Sequence, residues 1–95
     1  MSRAHVEVDH VEGDRFRVTV REGGGSSTHV VRVEPDYSRR LTGDAVARED
    51  LVRSSFEFLL EREPKEAILR SFDLPLIARY FPEYESEIAR RVRAR

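Results

Sequence analysis

The sequence predicts an α+β fold: a three-stranded antiparallel β-meander followed by a helical layer of one long helix and several short, proline-delimited helices. Three observations carry this expectation. Apolar residues alternate with period two through the first third of the chain. A long stretch with helical apolar spacing follows near residues 46 to 62. Prolines at positions 64, 75 and 82 then punctuate the last third. Residues 1–95 are read as a single domain, with strands in 1–35 and the helical part in 36–95.

The strands come first. "HVEVDH" puts Val6 and Val8 on one face and Glu7 and Asp9 on the other. "DRFRVTVRE" turns Phe16, Val18 and Val20 inward, with Arg15, Arg17, Thr19 and Arg21 outward. "THVVRVE" offers His29, Val31 and Val33 against Val30 and Arg32. Pairing Val8 with Phe16 and Val6 with Val18 keeps the apolar faces together. That register leaves Val11-Glu12-Gly13 as a loop with glycine last, and sets Glu7 against Arg17 and Asp9 against Arg15. The second hairpin turns through "EGGGSS", whose glycines leave two registers open.

The helices follow. Pro35 near a start and Gly43 past an end suggest a short helical turn carrying Tyr37 and Leu41 inward. Asp44 or a neighbour opens the long helix. On its wheel, Leu51, Val52, Ser55, Phe56, Phe58, Leu59 and Leu60 cover an arc of about 200°, leaving Arg53, Ser54, Glu57 and Glu61 as a polar strip. So wide an arc needs cover on two sides. Phe58 and Leu59 are therefore expected in the core, between the sheet and C-terminal helices. Those helices are read as "PKEAILRSF", then "LPLIARYF" capped by Asp73, then "PEYESEIARRV" with the stripe Tyr84, Ile88 and Val92. Ile68, Leu69, Phe72, Leu74, Ile77, Tyr80 and Phe81 are read as core wrapped around the long helix, with an exposed binding groove as the alternative.

Composition narrows function mostly by exclusion. Charged residues make up 37% of the chain, yet they nearly cancel to a net charge of −1. That balance gives no global attraction to nucleic acid or to an anionic membrane. Lys65 is the only lysine among 17 basic residues. The absence of cysteine excludes disulfides, zinc ribbons and thiol catalysis. No apolar run approaches a membrane span, and "MSRAHVEVDHVEG" has no signal-peptide core, so a cytoplasmic protein is expected.

Catalytic constellations are not found. Gly23, Gly24 and Gly25 lie between two strands, whereas a phosphate loop leads from a strand into a helix. "DHVEGD" offers one imidazole among loop carboxylates, a poor metal cage, and His5, His10 and His29 are not expected to converge. Ser54 and Ser55 sit within a helix and Ser26 and Ser27 at a flexible tip, so neither pair forms a nucleophile elbow. No catalytic, cofactor or metal residue is assigned. The candidate nucleic-acid contact is "IARRVRAR", with Arg90, Arg91, Arg93 and Arg95; the competing reading is that these arginines complement a helix C-terminus. On that second reading, removing residues 90 to 95 costs little stability.

The block "LVRSSFEFLLEREPKEAILRSFDLPLIARYFPEYE", residues 51 to 85, resembles a group of small uncharacterised bacterial proteins. The resemblance extends into the strands and implies a natural stand-alone domain, with no activity or site residue to carry over. Together these readings point to a small non-enzymatic protein-interaction or regulatory module without a cofactor. Its partner is expected to be another protein, or a second copy joined through one of two unprotected sheet edges. The alternative is a nucleic-acid-associated protein using the arginine-rich end; no membrane partner is expected.

Overall fold

The computed structural model describes residues 4–93. Strands β1 (His5–Glu12), β2 (Arg15–Glu22) and β3 (Gly25–Arg32) lead into helices α1 (Pro35–Thr42) and α2 (Arg48–Leu60). A 3-10 turn (Lys65–Ala67), strand β4 (Ser71–Asp73) and helices α3 (Leu76–Tyr80) and α4 (Tyr84–Arg93) complete the order.

The sheet corrects the expected three-stranded meander. It has four strands in the order β1-β2-β3-β4, and β4 runs parallel to β3. The fourth strand lies where the helix "PKEAILRSF" was expected. A helix that short is marginal in water, while the outer side of β3 presents unpaired backbone groups. The extended chain meets that need: Val30 N–H donates to the Arg70 carbonyl (2.8 Å), and Leu74 N–H to the Arg32 carbonyl (3.0 Å). Only the 3-10 turn survives after Pro64. The expectation of two unprotected edges is corrected with it, because β3 is partly covered and the new edge strand is three residues long.

The first hairpin also differs in register. Val6 faces Val20, Val8 faces Val18 and His10 faces Phe16, a slip of two residues from the expected pairing. A slip of two leaves every side chain on its face, so alternation cannot detect it. A bulge between His10 and Glu12 absorbs the odd residue. Gly13 then occupies the first turn position at φ 53°, and the ladder extends to His5 and Arg21. The expected Glu7–Arg17 and Asp9–Arg15 pairs are replaced: Glu7 pairs with Arg21 (3.2 Å), Arg15 with Glu12, and Asp9 faces Arg17. The second hairpin resolves to a two-residue turn. Gly23 and Gly24 have φ of 62° and 82°, the left-handed pair that a type I′ turn requires.

Helix α2 is shorter than the expected 46–62 but is covered on both sides as its wide arc requires. Phe56 lies 5.3 Å from the His29 ring and 6.1 Å from Phe72. Phe58, on the far side, meets Phe81 edge-on at 5.9 Å and Tyr84 at 5.3 Å. Phe58 and Leu59 are both buried. Ser54 was assigned to the polar strip and is instead fully buried, because α4 covers that side as well. Arg48 anchors the start of α2, donating to Asp14 (2.8 Å) and to the Val33 carbonyl (2.9 Å). Prolines 64, 75 and 82 do separate distinct elements. Asp73 does not cap α3; it faces Arg32 at 3.8 Å.

Candidate functional site

The segment from Ala67 to Phe81 divides its apolar residues between two tasks. Ile68, Leu74 and Ile77 are buried in the core. Phe72, Leu76 and Phe81 are half-buried. Leu69 and Tyr80 remain 51% and 67% exposed. The expected core reading thus holds for part of the cluster, and the groove alternative describes the rest. Chain geometry explains the split. In the short β4 only Phe72 turns inward, between exposed Ser71 and Asp73. Helix α3 is five residues long, so its apolar side offers Ile77 to the core and Tyr80 to the rim.

Between these elements and the end of α2 lies an open groove of about 430 Å³. Leu59, Ile68, Phe72, Ile77 and Phe81 form its floor and walls, and Leu69 and Tyr80 stand at its rim. Glu63 is the one charged residue in the lining. Its side chain is half-buried, and burial pushes its carboxyl above the ordinary glutamate range. The two cations closest to it in sequence are committed elsewhere. Arg62 lies over the Phe58 ring at 3.6 Å and donates to Glu83 (3.3 Å), while Lys65 pairs with Glu66 (2.7 Å).

His29 fixes one wall of the groove. It is buried, and its Nδ1 lies 2.8 Å from the Leu69 carbonyl. A carbonyl only accepts, so Nδ1 must donate; in the neutral ring, Nε2 then accepts from the Ser27 hydroxyl (2.9 Å). This histidine is structural: it ties β3 to the approach to β4. His10 stacks on Phe16 at 4.9 Å. Among the described residues, no group of three or more histidines and carboxylates could hold a metal. Ser55 donates to the Leu51 carbonyl (2.7 Å) and lies 2.6 Å from the Tyr84 hydroxyl, whose ionisation burial pushes upward.

The arginine-rich end is tied into the fold. Arg91 donates to Glu61 (2.8 Å) and Glu87 (3.0 Å), and Arg90 pairs with Glu87. The bond to Glu61 holds the Arg91 guanidinium above its ordinary value, and Arg91 in turn holds both carboxyls below theirs. Val92 is buried as well. Arg93 is exposed and forms no ion pair among the described residues; Arg95 lies outside them. Arg90 and Arg91 are therefore committed to carboxylates of the fold. Sequence reasoning missed Glu63. The signal was its place just before Pro64, where the helix ends beside an apolar cluster.

Comparison with known proteins adds a context. Two proteins named phosphate-specific transport system accessory protein PhoU homolog 2, from Mycobacterium bovis and Mycobacterium tuberculosis, are each 29% identical over 89 residues. That alignment takes in 90% of this chain and 42% of each relative. PhoU homolog 1 of Mycobacterium leprae is 30% identical over 94 residues, 93% of this chain and 42% of its own length. The chain thus spans about two fifths of the length of the curated relatives it matches. Each is named for an accessory role in phosphate-specific transport. No family model and no solved structure matches the chain. Among the described residues no helix is long and apolar enough to cross a membrane.

Proposed function

We propose that this chain is a non-enzymatic regulatory module of phosphate uptake that acts by protein contact through the groove at Ala67–Phe81. The observation that carries protein contact is the groove itself: an apolar depression whose rim exposes a leucine and a tyrosine. Apolar surface of this kind, centred on an aromatic residue, suits a protein interface better than bulk solvent. The similarity to transport-system accessory proteins over nine tenths of the chain supports the regulatory setting.

Two other readings are weaker. Contact through the free edge of β1 is opposed by the bulge at Val11 and by Glu7, Asp9 and Glu12, since bulges and charges discourage edge pairing. Nucleic-acid binding is opposed by the engagement of Arg90 and Arg91 with carboxylates.

The test is affinity capture from the native host, phosphate-starved and phosphate-replete, with and without nuclease, using wild type and Leu69→Asp. Components of the phosphate-uptake apparatus should be captured by the wild type and lost by the variant. Recovery of nucleic acid alone, or capture indifferent to Leu69→Asp, would overturn the proposal.

A further inference from the structure

We propose that the groove is self-complementary and pairs with the same groove of a second copy, Tyr80 of each entering the depression of the other and Arg79 of each meeting the partner copy's Glu63. This rests on the groove being a protein-contact surface, the reading proposed above, and names the partner as a second copy of this chain.

The argument starts from what the surface lacks and what it offers. Its depression needs an apolar side chain, and its rim carries a protruding one, Tyr80, which is 67% exposed beside that depression. Its lining carries one unpaired carboxylate, Glu63, already partly removed from water. Beside the protruding tyrosine stands Arg79, exposed and held by no ion pair or hydrogen bond among the described residues. Arg79 follows Leu76 by three residues, which puts it on the same side of α3 as that lining residue. Most other arginines among the described residues are matched to a carboxylate, so an unmatched arginine and an unmatched glutamate on one surface are complementary.

Symmetry makes the match work twice. In a two-fold dimer the same patch meets itself, so a knob and a hole on one surface become two knobs in two holes. An arginine and a glutamate become two crossed ion pairs in the same way. The pairing also relieves a cost borne by the free chain, because the approaching guanidinium neutralises a carboxylate that burial disfavours. An aromatic anchor filling a central pocket is the usual source of most of an interface's binding strength.

The experiment is sedimentation equilibrium on wild type, Tyr80→Ala, Glu63→Arg and Arg79→Glu, from about 1 µM to about 1 mM, a range that covers weak association. Wild type should dimerise with rising concentration. Tyr80→Ala should raise the dissociation constant by about thirtyfold, the effect of losing a central anchor. Glu63→Arg and Arg79→Glu should each be largely monomeric alone, since each sets like charges against each other at both contacts. Mixed together, the two should associate with an affinity near that of wild type, because both crossed contacts regain opposite charges. Circular dichroism confirms folding, and Tyr80→Ala removes only an exposed side chain, so its result stands even if Glu63→Arg fails to fold. A monomeric wild type, a dimer indifferent to Tyr80→Ala, or two folded single variants that do not associate on mixing would each overturn self-pairing. If the wild type is monomeric yet loses its captured uptake components on Leu69→Asp, self-pairing fails and the functional reading stands. Dimers formed without any such capture give the reverse.

Discussion

Replacing Phe58 by alanine tests whether the fold is closed around α2. The ring is fully buried, meets Phe81 and Tyr84 edge-on, and is covered by the Arg62 guanidinium. Removing a buried phenylalanine ring costs about 3–5 kcal/mol in general. Two aromatic contacts, each worth about 0.5–1.5 kcal/mol beyond area, put this site in the upper half of that range. A chain of 95 residues has a total stability of about 5–14 kcal/mol. At the lower end of that range the variant should keep only a small margin. Urea unfolding followed by far-ultraviolet circular dichroism should show the midpoint falling by about 1–5 M at a slope of about 1–3 kcal/mol per M. A loss below about 1 kcal/mol with unchanged slope would refute the two-sided packing of α2.

Other substitutions probe single contacts. Ser54→Ala should leave stability unchanged or raise it by about 0.5–1 kcal/mol in the same assay, because the fully buried Ser54 hydroxyl has no hydrogen-bond partner. His29→Leu should cost about 1–3 kcal/mol by thermal melting, since it strips the Leu69 carbonyl of its donor and frees the approach to β4. Arg91→Met should open a pH-dependent stability gap. Arg91 holds the Glu61 and Glu87 carboxyls below their ordinary values, so its contribution is complete above the unfolded glutamate value of about 4.3 and fades as pH falls through the lowered folded values. Melts at a series of pH values should show wild type and variant converging in acid; a gap independent of pH would contradict the assignment. Deleting residues 90 to 95 should cost more than the small increment expected of a solvated helix end, because the cut also removes buried Val92.

What the sequence revealed follows from the range of each signal. The three N-terminal strands and the buried arc of α2 were legible because period two and the helical period are local patterns. The register of the first hairpin was not. Shifts by two residues leave the apolar faces unchanged, and the choice was made by a bulge at Val11 that no pattern announces. Strand β4 was illegible for a different reason. "SFD" has no strand signature of its own and becomes a strand only because the side of β3 stands open at Val30–Arg32, forty residues earlier in the chain. Ser54 was misplaced because a helical wheel shows how wide an apolar arc is but not how closely α4 will cover its margin. The groove was half-legible. The cluster of apolar residues was visible, but which of them would be left over depended on the lengths of β4 and α3.

Those lengths also link stability to binding. The groove's walls are a three-residue strand and a five-residue helix, neither of which would persist without tertiary contacts. They are held by backbone bonds to β3, by the His29 bond and by Phe81 against Phe58. The groove is therefore built from the elements with the fewest internal supports, the part of a fold expected to open first. An occupant that fills the groove binds only when those walls are formed, so it must stabilise them by mass action. The same coupling runs in reverse: a substitution that loosens the walls, such as His29→Leu, should weaken occupancy without touching the occupant. In this chain the closing of the core and the opening of the groove are consequences of one short segment.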